Sequence, residues 1–148
     1  MKKNSGVAGT SIQSRKILEE SNGYAGLIDV YRERVLSQKT RTIRLLGRKN
    51  PATIIHTLLG YEVQTSYKRI QCPDLVTARY LRLFSELGCH SIKLPYDPTL
   101  TEILIPGFEA TVERIKGKIR ELFPLDFSAQ QAVTLRVFAR IRRELAFP

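Results

Sequence analysis

One helix is fixed by its punctuation: Cys72-Pro73-Asp74 before it and Gly88 after it. Proline withholds a backbone donor from any strand that reaches it, and Asp74 can accept an N–H from a first helical turn. Gly88 suits the left-handed residue that ends a helix. Between them, Leu75, Val76, Ala78, Tyr80, Leu81, Leu83, Phe84 and Leu87 leave a narrow polar stripe of Arg79, Arg82 and Glu86. Such a wide apolar surface implies contact on more than one side.

The flanks read as strands. Tyr61–Ile70 is rich in β-branched and aromatic residues, and Ser91-Ile92-Lys93-Leu94 is a second, shorter run closed by Pro95. If both share a sheet, the spacing predicts a parallel pair joined by a right-handed crossover.

Ser11–Ser21 suits a short helix with Ile12, Ile17 and Leu18 inward, stopped at Asn22-Gly23. Tyr24–Gln38 carries Tyr24, Leu27, Ile28, Tyr31 and Val35 at helical spacing. Lys39–Leu46 alternates as a strand, with Ile43 and Leu45 on one face and Thr42 and Arg44 on the other. Asn50-Pro51 is a good helix start, and Ile54, Ile55, Leu58 and Leu59 favour a short helix closed by Gly60. Thr53, Ile54, Ile55 and Thr57 also suit a strand, which leaves a hairpin as the rival. Asp97-Pro98 starts a long amphipathic stripe through Leu104, Phe108, Val112, Ile115 and Ile119, with a kink or break expected at Pro106-Gly107. A last helix, capped by Asp126 or Ser128, turns Val133, Val137, Ile141 and Leu145 inward.

The resulting expectation is an α/β (or α+β) fold with a small sheet. A strand–helix–strand crossover over residues 61–95 is central, helices cover it, and two long helices form the C-terminal part. Residues 1–10 are small and polar, and read as a disordered tail before one domain over 11–148. No apolar run can span a bilayer, and no apolar segment follows Lys2-Lys3, so a cytoplasmic chain without membrane contact is expected.

Charge says more about partners. The net charge is +10. Residues 1–50 hold eleven Lys/Arg against four Asp/Glu, residues 51–127 nine of each, and residues 128–148 four against one. The excess sits on the flanks, where a polyanion would be drawn; a solvated surface that favours solubility is the plainer account. Gly47-Arg48-Lys49-Asn50-Pro51 gathers cations at an expected helix start, a weak anion site. Arg41, Arg44, Arg48 and Lys49, with Arg136, Arg140, Arg142 and Arg143, form the best basic patch, which Lys68 and Arg69 could extend. Arginine's planar fork of donors fits phosphate. Tyr61 and Tyr67 share a strand face and could stack on bases, although core packing is the commoner fate of such a pair.

Catalytic chemistry is thinly represented. Cys72 lies at a helix start where a thiolate can be stabilised, but neither His56 nor His90 is placed to act as its base, so it reads as packing. The two cysteines lack zinc-ligand spacing and are not expected to pair. Glu109 and Glu113 have Lys116 and Arg120 nearby, which favours ion pairing. No cofactor and no metal are expected. The leading expectation is a non-enzymatic protein that binds nucleic acid or another polyanion through its flanking arginines. The alternative is an interaction or assembly factor, a homo-oligomer among the options, that uses apolar surface on Leu75–Leu87 or on the last helix.

Overall fold

The computed structural model describes residues 14–21, 23–45, 52–65 and 68–146. The tail expected over residues 1–10 lies outside them. In chain order the elements are α1 (residues 14–20), α2 (Tyr24–Val30), a π-helical turn (Tyr31–Val35), β1 (Thr40–Arg44), β2 (Thr53–Thr57), β3 (Gly60–Gln64), β4 (Arg69–Cys72), α3 (Leu75–Glu86), β5 (Ser91–Pro95), α4 (Pro98–Leu122) and α5 (Phe127–Ala146). The fold is thus mixed helix and sheet, with two long C-terminal helices. It divides into two compact units: Val30–Pro106, and the residues on either side of that stretch. Among the described residues, no helix is long and apolar enough to cross a membrane.

The Val30–Pro106 unit is organised around α3. Asp74 Oδ1 accepts the Thr77 N–H at 2.7 Å, which caps the helix start. At the other end Gly88 takes φ +82°, Gly88 N–H bonds Ser85 O and Cys89 N–H bonds Phe84 O, the paired bonds of a Schellman ending. Ala78, Tyr80, Leu81, Phe84 and Leu87 are fully buried, so the wide apolar surface is consumed by the interior.

The strands pair differently from the expectation. Strand–helix–strand order holds across residues 61–95, but the flanking strands do not share a sheet. β5 pairs antiparallel with β1, while β2, β3 and β4 form a separate antiparallel sheet in that order. β5 alternates exposed Ser91 and Lys93 with buried Ile92 and Leu94, a half-solvated pattern that suits an antiparallel ribbon rather than a strand covered on both faces.

Tyr61–Ile70 is not one strand. It turns back after Thr65, whose hydroxyl accepts the Lys68 N–H at 3.0 Å while its own N–H bonds Lys68 O. A local side-chain bond outweighs continuous strand propensity there. Residues 53–57 take the hairpin alternative, with Thr53 opposite Gln64 and Thr57 opposite Gly60. Gly60 makes this possible. It sits at φ +127°, and a Cβ there would lie 2.8 Å from the Cys72 carbonyl oxygen. Leu58 and Leu59, expected inward on a helix, are exposed at the hairpin tip.

In the other unit Ile17, Leu18, Leu27, Ile28, Val112, Ile115, Val137 and Ile141 are buried. Asp126 Oδ1 accepts the Ala129 N–H and so starts α5. One helix expectation changes, and another loses one of its two alternatives. The helix expected over Tyr24–Gln38 passes into a π turn, where Leu36 N–H reaches Tyr31 O. α4 runs through Pro106 without a break. Pro106 is exposed, so the carbonyl its ring cannot satisfy is left on the solvent side.

Candidate nucleic-acid interface

The ten cations singled out in the sequence fall into distinct settings. Arg48 and Lys49 lie outside the described residues, as does Tyr67. Arg136, Arg140 and Arg143 share one face of α5, spaced by four and three residues. Together with Ser14 and Ala139 they line a shallow recess of about 110 Å³. Arg140 Nε lies 3.7 Å from Glu144 Oε1, and the Tyr24 hydroxyl donates to the other oxygen of that carboxylate. Arg136 and Arg143 are exposed and, among the described residues, meet no carboxylate. The recess therefore carries cations in excess of acids.

In the Val30–Pro106 unit, strand alternation separates Arg41 from Arg44. They lie three residues apart on β1 and so face opposite sides of the ribbon. Arg41 is near Cys72, whose thiol it pulls down slightly against larger opposing effects: burial, then Asp74, push that thiol up to about 11. Cys72 and Cys89 are both buried, and neither forms a disulfide. A fully buried thiol shifted in that direction suits a small packing group.

Arg44 and Lys68 are brought together, since Lys68 Nζ donates to Arg44 O at 2.8 Å. Arg69 is partly compensated by Glu62, at 3.7 Å, and Gln64 also donates to that carboxylate. Tyr61 stacks on His56, with centroids 4.7 Å apart. Glu113 pairs with Lys116 at 3.1 Å, as an ion-pair role requires.

Lys93 was missed as a site residue. Opposite Thr42 in the β1–β5 register, it is exposed beside Arg44 on the outer face of the ribbon, and its ammonium donates to Thr42 Oγ1. Its backbone is held by two tyrosines: Tyr80 Oη donates to Lys93 O at 2.8 Å, and Lys93 N–H donates to Tyr31 Oη at 3.4 Å. Burial pushes the Tyr31 phenol up to about 12, against the Lys93 hydrogen bond, and drives Tyr80 up further. The alternation in Ser91–Leu94 was visible in the sequence; its pairing with β1 was not.

Among the described residues, no group of three or more histidine, cysteine or acidic side chains is placed to hold a metal ion. Comparison with protein-family models, with curated proteins and with solved structures finds no match for this chain.

Proposed function

We propose that this protein is a non-enzymatic, basic nucleic-acid-binding protein of the cytoplasm, where cysteines outside any disulfide are ordinary. One observation carries the reading: Arg136, Arg140 and Arg143 converge on a single recess where only Arg140 is near an acid. Uncompensated guanidinium groups on a rigid helix are well suited to phosphate, and each contact releases condensed counterions. The test is fluorescence anisotropy of labelled single- and double-stranded oligonucleotides across a salt series. Affinity should fall steeply with salt, and Arg136→Ala with Arg143→Ala should flatten the log–log slope by about 1.8, at about 0.9 per lost phosphate contact. Binding that ignores salt, or no binding, removes the proposal.

A second reading has its own support. Leu58 and Leu59 are exposed together at the β2–β3 tip, and Leu125 and Phe127 at the α4–α5 turn. Exposed apolar groups of this size suit a protein contact, including self-association. Of the two surfaces the sequence suggested, α3 buries most of its apolar residues, whereas the last helix exposes Phe127 and Leu135. Light scattering across a concentration series tests it. A dimer lost on Leu58→Ser with Leu59→Ser supports the second reading, and a monomer at every concentration removes self-association.

A further inference from the structure

The β1–β5 ribbon has one face built over the interior and one face bare. Ile92 and Leu94 point inward and are buried. Alternation puts Thr42 and Arg44 of β1, with Ser91 and Lys93 of β5, on the other side, Thr42 opposite Lys93 and Arg44 opposite Ser91. All four are exposed. They make a small grid of two cations and two hydroxyls, and no carboxylate pairs with either cation among the described residues. The grid is firmly supported. Tyr80 and Tyr31 occupy the backbone of Lys93 along the free edge of β5, and Lys68 occupies the carbonyl of Arg44 along the free edge of β1. At those points side chains take the place of a further strand, so the face, rather than the edge, is what the ribbon offers.

We propose that this bare face is a docking surface for B-form duplex DNA, seated in the major groove. The proposal rests on the nucleic-acid reading above and names its substrate. Dimensions favour it. Five residues of strand span about 17 Å, with the two strands about 4.8 Å apart. The major groove of B-DNA, about 12 Å wide, admits a two-stranded antiparallel ribbon. The chemistry agrees: arginine and lysine donate to guanine O6 and N7 or to phosphate, while serine and threonine hydroxyls serve base edges and backbone alike. A-form RNA closes its major groove to side chains, and a single strand has no groove. Duplex DNA is therefore the occupant.

The full chain is titrated with three probes of matched sequence: duplex DNA, duplex RNA and single-stranded DNA. Duplex DNA should bind most tightly. Arg44→Ala with Lys93→Ala should weaken it about 10- to 100-fold, the loss expected for one to two groove contacts. Replacing guanine by 7-deazaguanine in the duplex should weaken the parent protein and leave the double variant unchanged. Arg44→Lys with Lys93→Arg keeps the charges and should retain most of the affinity, and circular dichroism melting confirms that each variant is folded. Should the parent bind duplex DNA with neither the alanine pair nor 7-deazaguanine having an effect, the ribbon assignment falls while the nucleic-acid reading stands. Failure of every probe to bind overturns both.

Discussion

The α5 row and the β1–β5 ribbon each present positive charge, by different means. On α5 the arginines follow the helical period, and the same period places Glu144 next to Arg140, where Tyr24 also holds it. On the ribbon the period is two, so Arg44 and Lys93 share a face with hydroxyls, and neither strand contains an acid. The ribbon is anchored by Tyr31 and Tyr80, which hold the backbone of its lysine, and α5 by its buried stripe. The helical row has an acid built in that a phosphate must displace from Arg140.

The largest effects should come from the buried supports of the two surfaces. Ile92→Ala opens a hole beneath the ribbon and Ile141→Ala one beneath the arginine row; each should cost about 2–5 kcal/mol in guanidinium unfolding, as large-to-small changes in a packed interior do. A cost below 1 kcal/mol for Ile92→Ala would mean that the ribbon is not seated as described.

Alkaline pH should come next, and it should single out the ribbon unit. Cys72, Tyr31 and Tyr80 all lie in that unit, and burial holds each of them neutral. A pKa raised by folding gives stability that is complete below the unfolded value and lost as pH climbs through the folded one. For Cys72 that window runs from 9.0 to about 11, and for Tyr31 from 10.0 to about 12. Hydrogen-exchange protection factors, with the base-catalysed intrinsic rate divided out, should fall between pH 9 and 11 in β1, β4 and β5 before they fall in α5. A uniform fall, or loss of α5 first, would contradict this.

The smallest change should sharpen the contrast most. Glu144→Gln removes the acid from the helical row while leaving Tyr24 an oxygen acceptor. Exposed and half-exposed ion pairs of this kind are worth about 0–1 kcal/mol, so melting should barely move. Oligonucleotide affinity should rise at low salt, with a slope steeper by about 0.9 if Arg140 becomes a further phosphate contact. An unchanged slope would mean that Arg140 faces no phosphate.

The features legible in the sequence were those whose causes are local. Asp74 and Gly88 act within a few residues of themselves, and α3 has the ends they predict. The same holds for Asp126 at the start of α5 and for the buried stripe Val133, Val137, Ile141 and Leu145. What could not be read was partnership across the chain. β1 finds β5 some fifty residues away, and nothing in either strand names the other. That missing pairing hid Lys93, whereas the opposite facing of Arg41 and Arg44 follows from the alternation of β1 alone. The hairpin of β2 and β3 was visible only as a rival, because Asn50-Pro51 resembles a helix start and the role of Gly60 depends on the nearby Cys72 carbonyl.

The central claim is that cations left without acids on these two surfaces meet nucleic acid, those of α5 at phosphate and those of the ribbon in the groove. It is tested most directly by the salt dependence of duplex affinity for the parent and for the variant carrying Arg44→Ala, Lys93→Ala, Arg136→Ala and Arg143→Ala. The account predicts a steep parental slope that becomes shallower by about 1.8 in the variant, two phosphate contacts at about 0.9 each, with affinity lowered further at every salt concentration by the lost groove contacts. Equal slopes for two folded proteins would contradict it.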